Sequence, residues 1–336
     1  MDTNLTTIRT KIRRLTRSPS EAQVTTDQID EYVNRFVLYD FPEHLRLFSL
    51  RTTLTFYTKP YVDTYETTTV VDTDPLYNFK NKYTTIHPPV YVGGYYMAFS
   101  QSRDQFYAGY PLTNSVSQIA TGDDATTNFT GTLTNKPVLQ NNVTITSIDA
   151  DNLSITLTDV PRTDPATGYP TQVGDLVTPD AAFSRGEINY VTGVYDLTFV
   201  IPPAASAPIY SHTIPYQASR PNIVLYYNNK FVMRPVPDKV YPVVLEAYMR
   251  PTELLDGADV PDMEQYSEYI AYGAAKKVLE DRMDMDGVQM IMPEFKQQEL
   301  LCLRRTIVQQ SNERTATIYS GQTGFEGGWN RSGSYY

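Results

Sequence analysis

Between Asn128 and Val200 the chain repeatedly sets threonine against an apolar neighbour: NFTGTL over 128–133, VTITSI over 143–148, SITLT over 154–158 and DLTFV over 196–200. A period of two puts every second side chain on one face of an extended backbone, and no helix can bury that pattern on one side. Asn, Asp, Gly and Pro fall between the runs, where they favour turns. The spacing predicts a small antiparallel β-sandwich over about residues 120–216. Thr, Tyr, Val and Pro already dominate from Ser49 onward, with short alternations at Leu54–Tyr57 and Val90–Val92, so strands and loops are expected there as well.

The two ends of the chain carry a different period. Leu5, Ile8, Ile12 and Leu15 recur at helical spacing while Arg9, Lys11, Arg13 and Arg14 occupy other faces, which predicts an amphipathic helix. Ser18, Pro19 and Ser20 end it. Thr25 followed by Gln28 reads as a capping box opening a second helix, with Ile29, Val33, Phe36 and Val37 inside and Pro42 closing it. A last long strand, Tyr241–Tyr248, leads back to helical sequence. Pro261 and Asp262 are expected to start a helix with Met263, Tyr266, Ile270, Ala274 and Val278 on one face, where Gly273 and Ala274 let a neighbour approach closely. After a turn at Asp284–Gly287, a final helix enters or kinks at Pro293 and runs through Phe295, Leu300, Leu303 and Ile307 toward Gln310.

The expected fold class is α+β. N- and C-terminal helices, residues 1–50 and 240–312, form one helical bundle. A large β-rich insertion over 51–239 contains the antiparallel sandwich, and residues 313–336 form an extended C-terminal arm. The arm's glycines and serines cannot support a core, but Phe325, Trp329, Tyr335 and Tyr336 offer aromatic anchors to a partner.

Composition narrows the function classes. The net charge of -10 argues against a whole-surface grip on DNA, which needs clustered Lys and Arg. The 27 tyrosines beside one tryptophan suit half-buried strands and interfaces, where the ring is covered and the hydroxyl stays wet. No apolar run approaches the roughly 20 residues of a membrane span, so no membrane partner is expected. The basic start lacks an apolar segment behind it and is not expected to be a secretory signal.

No catalytic constellation emerges from the sequence. Gly93-Gly94 and Gly327-Gly328 lack the third glycine and the strand-turn-helix setting of a phosphate cradle. His44, His87 and His212 are far apart in sequence and read as structural. The lone Cys302 excludes a disulfide framework, and inside an amphipathic helix it reads as a small buried hydrophobe. Asp149-Ala150-Asp151 and Asp284–Gly287 have glycine and glutamate at the wrong offsets for an EF-hand and read as turns. No cofactor, no metal and no enzymatic activity are expected. The basic group Arg9, Lys11, Arg13, Arg14 and Arg17 is either a solvated helix face or a contact for an acidic partner or DNA backbone.

Three stretches carry a resemblance. The segments Thr7–Arg17 (TIRTKIRRLTR) and Val24–Asn34 (VTTDQIDEYVN) resemble the opening of bacteriophage head-to-tail adaptor, or head-completion, proteins. Tyr241–Pro251 (YPVVLEAYMRP) followed by Tyr269–Asp281 (YIAYGAAKKVLED) looks like that family's strand and third helix. Thr121–Leu133 and Gly186–Phe199 are similar to a β-module recurring in phage virion and tail proteins. The resemblance covers about two thirds of the chain and leaves residues near 50–118 and the terminal arm unassigned. It implies a non-catalytic virion protein assembled in the host cytoplasm, at the head-tail junction, in a ring commonly of twelve copies beneath the portal. The arm would reach into the portal protein, the insertion would face tail, nozzle or fibre proteins, and double-stranded DNA would pass through without being held. A tail, baseplate or fibre-attachment β-protein is the first rival, and a virion-associated glycan hydrolase the second.

Overall fold

In the computed structural model, residues 3–41, 48–68, 71–178 and 185–311 are described. They group into two compact units. One draws on Met1–Thr52, Tyr83–Thr85 and Ala247–Tyr336, the other on Thr53–Lys82 and Ile86–Glu246.

The first unit is built from helices. α1 (Leu5–Leu15) is capped by Asn4, whose Oδ1 accepts the Thr7 N–H at 3.0 Å. α2 (Thr26–Arg35) opens on the expected capping box: Gln28 N–H donates to Thr25 Oγ1 at 3.2 Å and Thr25 N–H to Gln28 Oε1 at 3.1 Å. The chain then widens into a π-helical turn, Phe36–Asp40, whose last bond runs from Phe41 N–H to the Phe36 carbonyl. Pro42 and His44 lie outside the described residues.

In the second unit the short helix α3 (Phe79–Lys82) and α4 (Arg103–Gly109) accompany the sheets. Back in the first, α5 (Ser267–Asp281) follows a 3-10 turn, Glu264–Tyr266, so it starts later than Pro261 and Asp262 predict. The reason is local, since the Asp262 carboxylate accepts the Thr252 N–H at 2.7 Å and is used in the loop rather than as a cap. α6 (Met285–Ser311) begins well before Pro293 and carries it inside, with Asp284 Oδ1 accepting the Gly287 N–H at 2.9 Å.

Leu5, Ile8 and Ile12, Ile29 and Val33, and Tyr269, Ile270, Ala274 and Val278 share one apolar cluster with Val288, Ile291 and Cys302. Leu50 and Tyr248 complete it. α1 and α2 each lie chiefly on α5 and touch one another little.

The second unit is built on β-strands. β1 (Arg51–Tyr57), β2 (Thr64–Glu66), β3 (Tyr83–Val92), β4 (Tyr95–Ser100), β13 (Ile223–Tyr227), β14 (Lys230–Arg234) and β15 (Pro242–Met249) make a seven-stranded sheet in the order β1-β15-β3-β4-β13-β14-β2. β4 and β13 run parallel. The edge strands β1 and β2 meet through Phe56 and Tyr65, ring centroids 5.8 Å apart.

β5 (Ser115–Thr121), β6 (Asn128–Thr132), β7 (Thr144–Ile148), β8 (Ser154–Thr163), β9 (Pro170–Val177), β10 (Arg185–Asn189), β11 (Val194–Thr198) and β12 (Pro208–Thr213) make an eight-stranded sheet in the order β5-β12-β7-β8-β9-β10-β11-β6. Its edges β5 and β6 approach within 8 Å, so the sheet curls into a barrel-like body around Ile145, Leu157, Leu176, Ile188, Leu197 and Ile209. Glycines allow the curl: a Cβ at Gly174 would stand 2.0 Å from the Tyr190 hydroxyl, and one at Gly131 2.5 Å from the Tyr195 hydroxyl. Tyr195 reaches across to the Ile119 carbonyl at 3.3 Å.

The expected fold class is therefore corrected. The chain is mostly β, with fifteen strands in two curled sheets and six α-helices among the described residues. The N- and C-terminal helices do not constitute a helical bundle carrying one insertion; they gather on α5, with strand residues in the same cluster. Nor do the threonine-rich strands form a two-sheet sandwich. Alternation fixes which face of a strand is buried, and a curled sheet buries that face as well as a sandwich does.

Candidate interaction site

The π-helical turn creates the most distinctive surface feature of the helical unit. Widening the backbone at Phe36 swings its ring onto α5, where Gly273 has no side chain to meet it; a Cβ there would stand 2.2 Å from the ring. Phe36 packs edge-on to Tyr269 at 5.3 Å, and Tyr269 stacks on Phe295 of α6 at 5.1 Å. Above these rings opens a cleft of about 470 Å³, bounded by Tyr39, Asp40, Lys276, Lys277 and Glu280. The Lys276 ammonium sits 5.4 Å from the Phe295 ring and Lys277 pairs with Asp40 at 2.5 Å. Burial pushes the Tyr269 hydroxyl pKa upward, so it stays protonated. An aromatic floor with a mixed-charge rim suits an aromatic guest, and π-helical turns often mark functional positions.

α6 adds a second feature. Its buried side includes Val288, Ile291, Cys302 and Thr306, with Phe295 partly covered, whereas Leu300 is 62% exposed and Ile307 59%, with Leu303 beside them. The sequence puts the leucines on the helix path without assigning them a face; the structure turns them outward. A row at spacing i, i+3, i+7 on the solvent side of a helix has no packing role among the described residues and marks an interaction surface.

The basic group divides. Arg9 grips Asp30 through Nε and Nη2, both at 2.6 Å, and this hydrogen bonding raises its pKa further. Arg13 donates to the Val24 carbonyl at 2.9 Å and to Thr26 Oγ1 at 3.1 Å. Lys11 pairs with Glu268 and lies 5.1 Å from the Tyr272 ring. Arg14 and Arg17 are exposed. The helix spacing thus brings Arg9, Lys11 and Arg13 onto neighbouring elements, and leaves two cations on the surface. Phe325, Trp329, Tyr335 and Tyr336 lie outside the described residues.

A larger concavity of about 730 Å³ lies against β9, β10 and β11, where Arg162 bridges Asp175 at 2.5 Å and Glu187 at 3.0 Å. Among the described residues no group of three His, Cys, Asp or Glu side chains is placed to hold a metal ion, and no helix is long and apolar enough to cross a membrane. His212 Nε2 lies 3.2 Å from Thr146 Oγ1, and His87 Nδ1 3.7 Å from Glu246. Burial pushes the Cys302 thiol up to about 12, which keeps it an inert hydrophobe. Asp149 accepts the N–H groups of Asp151 and Leu153 at 3.0 and 2.8 Å, as a turn residue does.

No family model and no curated protein matches this chain. The site must therefore be read from its own geometry. Sequence reasoning missed the cleft; Gly273 was its only signal, and the partner that needs that glycine, Phe36, is remote in sequence.

Proposed function

We propose that this chain is a structural, non-catalytic virion protein: a subunit of the ring that joins the portal of a tailed phage to its tail, assembled in the host cytoplasm. The observation that carries the reading is the outward row Leu300, Leu303 and Ile307 on α6, directly ahead of residues 312–336. A long helix offering apolar side chains to solvent gains stability only on a neighbour, and a head-to-tail contact between identical copies closes into a ring when its rotation allows. The segment following α6 would supply the portal contact through Phe325, Trp329, Tyr335 and Tyr336. Tail, nozzle or fibre proteins would meet the β-rich unit. The net charge of -10 favours a channel through which duplex DNA slides without adhering.

The test mixes the purified chain with portal protein and images the particles. Rings on the portal are expected for the native chain, and their loss for the double variant Leu300→Asp, Ile307→Asp with its circular dichroism unchanged. Rings formed equally well by the variant would reject the role given to α6.

A second reading, a tail, baseplate or fibre-attachment protein, draws on the two curled sheets and their exposed aromatic surface, where Tyr95 is 60% and Tyr96 68% exposed. It predicts trimers, hexamers or tubes that ignore the portal.

A further inference from the structure

We infer that in the free chain the segment after α6 turns back and seats Trp329 in the aromatic cleft of its own helical unit. The occupant is fixed by chemistry and reach. The cleft floor is made of Phe36, Tyr269 and Phe295, with the Lys276 ammonium beside it. An indole is the side chain that gains most from such a site, through offset or edge-on ring contacts and a cation over its face. The cleft volume of about 470 Å³ admits a side chain rather than a helix, which is about 10 Å across.

The length of chain matches the distance to be covered. From Ser311, at the end of α6, back to Phe295 the helix spans about 24 Å, at about 1.5 Å per residue. A flexible linker of about 18 residues, the separation of Ser311 and Trp329, with glycines only in its second half, has a root-mean-square span of about 24 Å or somewhat more. Effective concentration is highest when these two lengths agree and reaches about the millimolar range for short linkers. A cleft with a Kd of only about 0.1 mM would then be about nine-tenths filled.

The rim balances its own charge, Lys277 pairing with Asp40 at 2.5 Å and Lys276 with Glu280 at 3.5 Å, so the acid and the base that flank the indole meet no net opposing charge there. Glu326 precedes Trp329 by three residues and Arg331 follows by two, while the rim presents Lys276 and Lys277 with Asp40 and Glu280. The contact shields an aromatic anchor until a partner competes for it. It concerns the free chain alone and stands whether or not the portal is that partner.

Trp329 is the sole tryptophan, so the protein's indole fluorescence reports this residue and nothing else. In the full chain at micromolar concentration the emission is expected to be blue-shifted, with acrylamide quenching about tenfold weaker than for a synthetic peptide of residues 321–336. Lys276→Glu and, separately, Phe295→Ala should each move the emission to the red and restore quenching to the peptide's level. The surface variant Lys276→Glu keeps the test open if Phe295→Ala misfolds. Three results would overturn the inference: quenching of the native chain equal to that of the peptide, a shielded indole indifferent to both substitutions, or shielding that disappears on dilution and so depends on a second copy.

Discussion

Asn34 shows how much one side chain can do when its partner is far away in sequence. It is buried in α2, its Nδ2 donates to the Leu254 carbonyl at 2.8 Å, and its Oδ1 accepts the Leu254 N–H at 2.8 Å. Asn34→Ala leaves both backbone groups without a partner, and an unmet buried group costs about 1–3 kcal/mol, so a loss of about 2–4 kcal/mol is expected in denaturant unfolding. A change within experimental error would mean that water replaces the amide. Asp159 makes a second, pH-dependent case. Burial is the main influence and raises its pKa, against hydrogen bonds from Val143 N–H, the Tyr190 hydroxyl and Asn141 N–H. A folded-state pKa above the unfolded value means that the folded form binds the proton more tightly. Its contribution is full below the unfolded value of about 4 and is lost as pH rises through the folded one. The stability of the native chain relative to Asp159→Asn should accordingly increase from pH 7 toward about 4, as followed by urea midpoints. Thr25 was legible because its capping partner is three residues away; Asn34 was not, because its partner is 220 residues away.

Elements were legible where a local pattern decides them. α1, α2 and the strands β6, β7, β8 and β11 follow the periods of the sequence closely, whereas the start of α5 moved once Asp262 was taken by Thr252. The facing of α6 was illegible for a different reason: Leu300, Leu303 and Ile307 satisfy an inward pattern as well as Cys302 and Thr306 do, and only the neighbours settle which side is covered. The curl of the eight-stranded sheet hid in the same way, since its closure depends on where β5 and β6 end up rather than on either strand. Its outer face carries a testable charge arrangement. Asp175, Glu187 and Asp196 are direct cross-strand neighbours on β9, β10 and β11, a like-charge row that destabilises a sheet unless countered. Arg162 counters two of them, and Asn128 donates to Asp196 at 2.8 Å. Arg162→Ala should lower the melting temperature at low salt, with the deficit shrinking as salt screens the row. A deficit that salt leaves unchanged would assign Arg162 a packing role instead.

For the whole molecule, the balance of charge decides what kind of surface it offers nucleic acid. Duplex binding gains from each phosphate neutralised by a lysine or arginine, and the affinity falls steeply as salt rises. This chain carries 38 acidic against 28 basic residues, and in the one basic cluster Arg9, Lys11 and Arg13 already meet Asp30, Glu268, Val24 and Thr26 within the helical unit. Arg14 and Arg17 remain exposed, and two phosphate contacts supply too small a counterion release to hold duplex DNA against an acidic surround. The full chain is therefore expected to leave the anisotropy of a labelled random-sequence duplex unchanged from about 200 mM salt down to about 50 mM, the range over which a true phosphate-binding protein gains several powers of ten. Arg14→Ala with Arg17→Ala should make no difference to that result. A salt-dependent rise in anisotropy that the double variant removes would reverse the assignment and make the N-terminal helix a DNA contact. A rise that it leaves in place would locate the contact elsewhere and end the picture of a surface along which DNA moves unheld.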